Sequence, residues 1–274
     1  MAYVIALLSS DPSHLRCQIH RLRDEIVMGS KEDEALGLGY YADDDVLVAK
    51  RPSHGGTLDV ANLAREVVSS SLVALSQKIP GGFDEDAVSP FRFRRWLAAV
   101  DGNVEGFADL RASLLAELPD LISRQIRSTS DREHICALFL KELKTQGRLD
   151  DANLTAPDAA RCLGFAVRSI DRLCRAAGIT RPAPLALAAS NGRILLAARR
   201  GRPLSYALLE GLSTCELCGL DAKTPETDAR VSSHRRCKAV ALATEPSAGA
   251  GFLEIPDGSV FSVGRALDIN ISSL

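Results

Sequence analysis

The sequence lacks an excess of charge of either sign. Its 33 basic and 35 acidic residues leave a formal net charge of −2 over 274 residues. Proteins that bind nucleic acid or a membrane surface through their overall field carry a clear positive excess. Two short basic clusters, 92–95 and 199–202, are therefore interpreted as solvated faces. The composition argues against both nucleic acid and membranes as partners.

Long apolar runs, internal repeats and low-complexity tracts are also missing. No apolar stretch approaches the roughly 18 residues that a membrane-spanning helix needs. The start of the chain has no basic leader followed by a cleavage site, so we expect a cytoplasmic protein. No linker separates two halves convincingly, and residues 1–274 are predicted to form a single domain.

The first residues, 2–10, are an apolar run closed by Ser-Ser-Asp-Pro. A run of this length and composition predicts a β-strand that is buried on both faces. Most domains leave their first residues loose. A buried first strand therefore directs attention to the residue at position 2, which is Ala2.

Strands come first along the rest of the chain, then helices, and then strands again. This order, without regular βαβ alternation, predicts an α+β fold whose sheets are antiparallel and whose helices cover the outer faces. A capping-box pattern precedes the helix at 135–143, and Asn191-Gly192 predicts a hairpin. The predicted strands are 36–41, 46–49, 71–75, 91–100, 185–189, 193–198, 204–208, 238–243, 251–255, 260–263 and 267–271. The main predicted helices are 107–118, 135–143 and 155–177.

Seven cysteines, an odd number, are more typical of thiols or metal ligands than of a disulfide framework in a cytosolic protein. Four residues follow the pattern C-x2-C-x15-H-x2-C, in which each two-residue gap lets a pair of ligands face one ion. They are Cys215, Cys218, His234 and Cys237, in a polar excursion at about 213–238. Thiolates and an imidazole favour zinc or an iron–sulfur centre, and four protein ligands predict a structural role.

The alternative for these four residues is a set of stray thiols on a surface excursion. The other cysteines fall at apolar or mixed positions of predicted helices, where a thiol acts as a small core hydrophobe. They are Cys17, Cys136, Cys162 and Cys174.

Several stretches resemble, in order and spacing, the motifs of one family. They are residues 2–10, Glu34-Ala35-Leu36-Gly37, Leu75-Ser76-Gln77, Ser89-Pro90-Phe91, Val100-Asp101-Gly102-Asn103 and Ser130-Asp131-Arg132-Glu133. Together they resemble a class II glutamine amidotransferase domain of the small stand-alone kind. The resemblance implies an N-terminal nucleophile hydrolase fold, a four-layer αββα sandwich with two antiparallel sheets.

The chain departs from this family at the positions that carry its chemistry. The family's nucleophile is an N-terminal Cys, and the corresponding residue is Ala2, whose methyl group cannot attack a carbonyl. Gln77 stands at the position of the Arg that binds the glutamine carboxylate, which removes a charged, bidentate partner. Asp101 stands at the position of the oxyanion-hole Asn, where an ionised carboxylate offers no donor. The resemblance therefore implies that no catalytic residue remains at these three positions.

Three residues remain as possible ligand-binding remnants, namely Gly102, Asn103 and Asp131. The resemblance implies that Asp131 would hold the amino group of glutamine, although a helix cap explains Ser130-x-x-Glu133 equally well. Gly102 and Asn103 are also explained by a turn. Where the family has a Trp and two His, this chain has Leu36, Leu75 and Val100, which predicts either a filled pocket or a more apolar one.

These observations predict a catalytically inactive amidotransferase-like scaffold, stabilised by a structural zinc ion, that binds another protein or a small amino-acid-like ligand. The alternative is an active amidohydrolase that releases ammonia from glutamine with a non-standard nucleophile, such as water on a metal with an open position. Four further histidines are scattered along the sequence and indicate no catalytic set. They are His14, His20, His54 and His134.

Overall fold

Two antiparallel β-sheets stack between layers of helices. The computed structural model describes residues 2–26, 28–29, 35–43, 45–53, 59–79, 82–247 and 251–274. Predictions that concern Glu34 and His54 lie outside these residues. The two sheets and their helical layers confirm the predicted αββα arrangement.

The first sheet has seven strands and is built around the first strand of the chain. The strands are β1 (Ala2–Ser9), β2 (Ala35–Ala42), β3 (Asp45–Pro52), β4 (Ser71–Gln77), β9 (Ser205–Leu209), β10 (Ala239–Ala243) and β11 (Leu253–Glu254). Their order across the sheet is β11-β9-β10-β1-β4-β2-β3. β1 pairs with β10 on one side and β4 on the other, so the first strand lies beside a strand that comes more than 200 residues later in the sequence.

The second sheet has six strands. They are β5 (Phe91–Phe93), β6 (Trp96–Gly102), β7 (Leu185–Ser190), β8 (Leu195–Arg200), β12 (Ser259–Val263) and β13 (Ile269–Ser273). Their order is β13-β12-β8-β7-β6-β5. The predicted single strand at 91–100 is wrong, because Arg94 has φ 52° and a left-handed residue there turns the chain between β5 and β6.

Helices lie on the outer faces of both sheets. They are α1 (Leu15–Arg21), α2 (Val60–Leu63), α3 (Phe107–Ala116), α4 (Asp120–Ser123), α5 (Asp131–Thr145), α6 (Ala156–Ala176) and α7 (Ala229–Arg236). The first two pack on the first sheet, and α3 to α6 pack on the second. Among the helices of the described part of the chain, none has both the length and the apolar character that a membrane crossing requires.

Alternate side chains of β1 enter two different cores. Val4 and Leu8 point between the sheets, whereas Ile5 and Leu7 point toward α1 and α2. All four are at most 2% exposed, and burying a side chain of this size stabilises a fold by about 2 kcal/mol. The predicted strand with two buried faces is therefore confirmed.

The start of α5 shows how a predicted cap was only half right. The Ser130 side chain accepts a hydrogen bond from the Arg132 N–H at 3.3 Å, as an N-cap does. In a capping box Glu133 would bond back to the Ser130 N–H. It instead accepts from the N–H and hydroxyl of Ser128 at 2.8 and 2.7 Å. The glutamate therefore fixes the loop before the helix rather than the cap.

Candidate functional site

Residue 2 lies where the start of β1 meets the ends of β4 and β6. Ala2 is paired with Gln77 in the antiparallel ladder of β1 and β4. Its backbone N–H donates to Oδ1 of Asp101 at 2.9 Å, across to the second sheet. All three residues are at most 3% exposed. The structure therefore brings together the three positions where the family resemblance places nucleophile, substrate anchor and oxyanion donor.

The Asp101 carboxylate is committed to groups of its own chain. One oxygen accepts from Ala2, and the other lies 3.8 Å from Nε of Arg202. Buried charge needs hydrogen bonds and an opposite charge close by, and these contacts supply both. A carboxylate in this place adds negative charge beside residue 2 and has no proton to donate to a developing oxyanion.

Gln77 is also tied into the protein rather than aimed at a ligand. Its Nε2 donates to the carbonyl oxygen of Ala87 at 3.2 Å. Its Oε1 is buried and has no hydrogen-bond partner among the described residues. A neutral amide held in this way cannot replace the bidentate, charged contact of a guanidinium with a carboxylate.

The three possible remnants have structural explanations in this chain. Both carboxylate oxygens of Asp131 accept backbone N–H groups, from Val104 at 2.7 Å and Arg132 at 2.9 Å. The Gly102 carbonyl accepts from Nε of Arg132 at 3.3 Å. Any Cβ on Gly102 would lie 2.4 Å from the Pro184 carbonyl oxygen, so the close strand packing requires glycine. Asn103 is exposed. A ligand role for these residues stays a prediction.

The three apolar residues at the family's Trp and His positions do not share a pocket. Leu36 packs in the outer layer with α1 and α2, and Leu75 packs between the sheets. Val100 lies on the other face of the second sheet, under α5 and α6. Of the two alternatives, the structure does not support a single pocket filled by all three. Leu36 and Leu75 are one register position apart on paired strands and so point to opposite faces of the first sheet, and Val100 belongs to the second sheet.

His134, at the start of α5, is buried without a catalytic partner. Its Nδ1 lies 2.7 Å from the Ser130 carbonyl oxygen, so Nδ1 carries the proton and donates. Its ring meets Phe107 edge-on at 4.9 Å, and Nε2 has no partner among the described residues. Desolvation by burial lowers the pKa of His134 below its ordinary value, so the fold holds the neutral imidazole.

We expect this histidine to contribute to acid sensitivity. Because its folded pKa is lowered, the unfolded chain binds the extra proton first as the pH falls through about 6.5. The stability that His134 contributes is therefore present above that pH and is lost below it. Urea unfolding between pH 7.5 and 5 should show a shallower loss of stability for His134→Gln than for wild type. Parallel pH profiles would contradict this assignment.

A second cluster of reactive side chains lies at the excursion between β9 and β10. Ligand atoms of Cys17, Cys215, Cys218 and His234 all lie within 4.8 Å of one another and could hold a metal ion. Three of these residues are buried, and Cys218 is partly exposed. The predicted set contained Cys237 in place of Cys17, so the structure changes one member of the cluster.

The backbone of the excursion forms a tight loop that holds the side chains of Cys215 and Cys218 close together. Cys215 and Leu220 exchange backbone hydrogen bonds of 2.8 and 2.9 Å, which close a tight loop. Gly219 has φ 64°, a conformation that glycine adopts without strain. His234 reaches the loop from α7, on the far side of the excursion.

The position of Cys17 relative to the cluster differs from the sequence prediction, and so does that of Cys237. Cys17 is as buried as a core thiol, but its sulfur lies 3.7 Å from that of Cys218. Cys237 lies after α7 and turns toward Ser9 and Gln18, with contacts of 3.6 and 3.7 Å. No local spacing marks Cys17, because it comes from a helix 201 positions before Cys218. The remaining cysteines, Cys136, Cys162 and Cys174, lie on α5 and α6 and are part of the hydrophobic core, as expected.

The basic cluster at 199–202, which includes the Arg202 that lies beside Asp101, bonds to other parts of the protein. The interpretation of this cluster as a solvated face is therefore wrong. Arg200 is mostly buried and bonds to Asp171 at 2.7 Å, and Arg199 bonds to Glu254 and to the Ile255 carbonyl. The sequence around these arginines did not indicate that Arg199 and Arg200 would have partners inside the protein.

The fold is similar to that of class II glutamine amidotransferase domains in solved structures, so the predicted resemblance is confirmed in the fold. A glutamine aminotransferase class-II domain protein from Silicibacter pomeroyi matches with a TM-score of 0.62 and 19% identity, over 99% of both chains. A predicted glutamine amidotransferase from Pseudomonas aeruginosa PA01 matches with a TM-score of 0.60 and 13% identity, over 97% of this chain and 98% of that one. Glutamine phosphoribosylpyrophosphate amidotransferase from B. subtilis matches with a TM-score of 0.56 and 14% identity, over 99% of this chain and 49% of that one.

Sequence comparisons give no corresponding match. No protein-family model matches the chain, and no curated protein is similar to it. Identities below 20% in the structural matches are informative about the architecture alone. The chemistry of the chain must therefore be argued from its own residues.

Proposed function

We propose that this chain is a catalytically inactive, single-domain scaffold of the class II glutamine amidotransferase type, braced by a structural zinc ion. The observation that carries the proposal is at residue 2. Ala2 has no nucleophilic atom, and its backbone N–H is bonded to the Asp101 carboxylate, which stands where an oxyanion donor is needed. The corner therefore lacks both a nucleophile at residue 2 and an oxyanion donor at residue 101.

The loss involves several groups and not only the nucleophile. Removal of one oxyanion donor costs on the order of 3 kcal/mol of transition-state stabilisation in acyl-transfer enzymes. Asp101 replaces such a donor with a negative charge, and Gln77 is bonded to Ala87 where a charged anchor is needed. Asp131, the residue that would receive the amino group, already accepts two backbone N–H groups. Asp101, Asp131 and Nε2 of Gln77 are thus each bonded to other groups of the chain.

Zinc suits the donor set at the excursion. Three thiolates and one imidazole match the ligands of structural zinc sites, and four protein ligands leave no position for water. A zinc ion bound there would fix the excursion on the sheet. The cytoplasm, where thiols stay reduced, is the compartment that keeps such ligands available, and all seven cysteines are free.

With catalysis gone, the function left to the scaffold is binding. We propose another protein or a small amino-acid-like ligand as the partner. The basic cluster at 199–202 does not support nucleic acid, because its arginines bond to Asp171, Glu254 and backbone carbonyls inside the protein. Guanidinium groups that bond to other parts of the protein are not available to bind the phosphates of a nucleic acid.

The competing function is an amidohydrolase that uses a metal-bound water in place of the thiol. It requires a metal with three protein ligands and an open fourth position. The cluster offers four ligand atoms within 4.8 Å of one another, which favours a closed site. Counting the ligands of the bound metal by X-ray absorption separates the two functions, since an oxygen in the first coordination sphere would support the enzyme.

A reconstruction series tests how much of the pocket has been lost. We expect Ala2→Cys, with residue 2 at a native, untagged N-terminus, to release ammonia from glutamine no faster than buffer. The reason is that Asp101 repels the oxyanion and Gln77 offers no charge to the substrate carboxylate. Ala2→Ser serves as the matched control for side-chain volume.

Rapid glutamine hydrolysis by Ala2→Cys alone would overturn this part of the proposal. It would show that the binding and oxyanion groups are still present and that only the nucleophile is missing.

A further inference from the structure

We infer that Cys17 is the fourth ligand of the metal site, so that one ion joins helix α1 to the excursion between β9 and β10. The ligand set is Cys17, Cys215, Cys218 and His234, and Cys237 is not a member. This inference rests on the structural metal of the proposed function and specifies which parts of the chain the metal connects.

The distance between two sulfur atoms supports this set. In a tetrahedral zinc site with Zn–S bonds of about 2.3 Å, two sulfurs lie about 3.8 Å apart. The sulfurs of Cys17 and Cys218 lie 3.7 Å apart, too far for a disulfide bond of about 2.05 Å. Two thiols at this separation thus have the spacing of two corners of a zinc tetrahedron.

His234 presents its other nitrogen to the same place. Its Nδ1 lies 2.8 Å from the Arg230 carbonyl oxygen, one turn earlier in α7, and therefore carries the proton. Its Nε2 is buried and has no hydrogen-bond partner among the described residues. Metal-binding histidines donate one ring N–H to a carbonyl or carboxylate and bind the ion through the other nitrogen. The buried, unpartnered Nε2 is thus a second observation, independent of the sulfur distances, that supports a metal ion at this position.

Cys237 is engaged elsewhere. Its sulfur lies 3.6 Å from the Ser9 hydroxyl and accepts a hydrogen bond from Nε2 of Gln18 at 3.7 Å. These contacts place it next to the last residue of β1, where Ser9 pairs with Ala239 in β10. The thiol therefore packs between α1 and the sheet as a weakly polar core group.

A metal at this site would connect segments that are far apart in sequence. α1 directly follows the central strand β1, and α7 directly precedes its neighbour β10. A second contact lies along the same seam, since His14 bonds to Asp11 at 2.8 Å and to Ser233 at 3.1 Å. The His14 ring also meets the His234 ring edge-on at 4.3 Å. The ion and this polar contact together would hold α1 against α7.

The test compares three full-length proteins purified with zinc: wild type, Cys17→Ser and Cys237→Ser. We expect wild type and Cys237→Ser each to bind one zinc per chain, with X-ray absorption showing three sulfurs at about 2.3 Å and one nitrogen at about 2.0 Å. We expect Cys17→Ser to bind zinc more than about 100-fold more weakly, because a lost ligand costs more than a lost outer-shell contact. Competition with a chromophoric chelator measures this ratio.

Cys237→Ser keeps the test informative even if Cys17→Ser fails to fold. Three sulfurs retained in Cys237→Ser support Cys17 as the ligand, whereas a drop to two sulfurs overturns the inference and leaves a structural zinc in place. No zinc in any of the three proteins overturns the metal in the proposed function as well. The absence of catalysis is measured separately, by ammonia release, so the two failures are distinguishable.

Discussion

Gly37→Ala is expected to lower the free energy of unfolding by about 3 kcal/mol or more. Gly37 lies on β2, opposite Leu75 of β4. A Cβ built at this position would lie 1.7 Å from the Ser89 carbonyl oxygen and 2.9 Å from Cδ of Pro90. Backbone atoms cannot rotate out of the way as a flexible side chain can, so the segment before β5 must move. Overpacking of this severity belongs to the upper range of single-substitution effects.

Gly264→Ala is the matched control for that substitution. A Cβ there would have its nearest contact 3.7 Å away, on Ala156, which is ordinary van der Waals distance. We expect its stability to stay within about 1 kcal/mol of wild type, since alanine at a compatible site restricts the unfolded chain. Urea unfolding of both variants measures the difference. Equal stabilities would contradict the expectation that the Ser89 carbonyl oxygen leaves no room for a side chain at Gly37.

Removal of the metal is expected to open the excursion while the sheets stay folded. The excursion buries little apolar surface of its own, in a cluster of Cys17, Cys215, Leu220 and Val231. A segment with few buried apolar contacts opens at low cost unless something ties it down. Binding of structural zinc supplies free energy on the order of 10 kcal/mol in small zinc domains, so most of the local stability should depend on the ion.

Hydrogen exchange followed by mass spectrometry measures this effect. With a chelator, we expect peptides from 212–237 and from α1 to exchange at least about 100-fold faster. Peptides from β7 and β8 are the internal control, because they lie in the other sheet. Full recovery of protection on return of zinc is expected. Unchanged exchange at the excursion would mean that protein contacts alone hold it.

The elements that sequence reasoning found are those with a strong local signal. Thr155 caps α6 by accepting from the Asp158 N–H at 3.3 Å, as the Thr-Ala-Pro-Asp pattern predicts. The Asn191 side chain accepts from the N–H groups of Arg193 and Ile194 and so fixes the β7–β8 turn. In both cases the residues that determine the structure are within a few positions of one another.

The elements that sequence reasoning missed depend on distant parts of the chain. Arg94 adopts a left-handed conformation between β5 and β6. Glycine and asparagine are the residues that usually indicate such a conformation in a sequence, and neither is present there. The spacing of Cys215, Cys218 and His234 predicted a fourth ligand nearby, whereas the sulfur that lies within reach of these three side chains is that of Cys17, on the first helix. Short-range spacing identifies ligand pairs on one segment, but it carries no information on which remote element packs against that segment.

The apolar run of the first strand directed attention to residue 2, but only the family resemblance predicted which residues lie beside it. Ala2, Gln77 and Asp101 are scattered over about a third of the chain, and only the strand pairing of a known fold predicts that they meet. The resemblance did not reveal that Asp101 accepts a hydrogen bond from Ala2 or that Arg202 lies beside it. These contacts show that Asp101 is engaged with groups of its own chain.

Ammonia release from glutamine by the purified wild-type protein tests the central claim most directly. The protein should carry a native, untagged N-terminus and its bound zinc, and its folding should be verified in the same preparation. The account predicts no ammonia above the level in buffer, because residue 2 offers no nucleophile and Asp101 offers no oxyanion donor. Steady turnover that co-purifies with the protein through further chromatography would contradict the account.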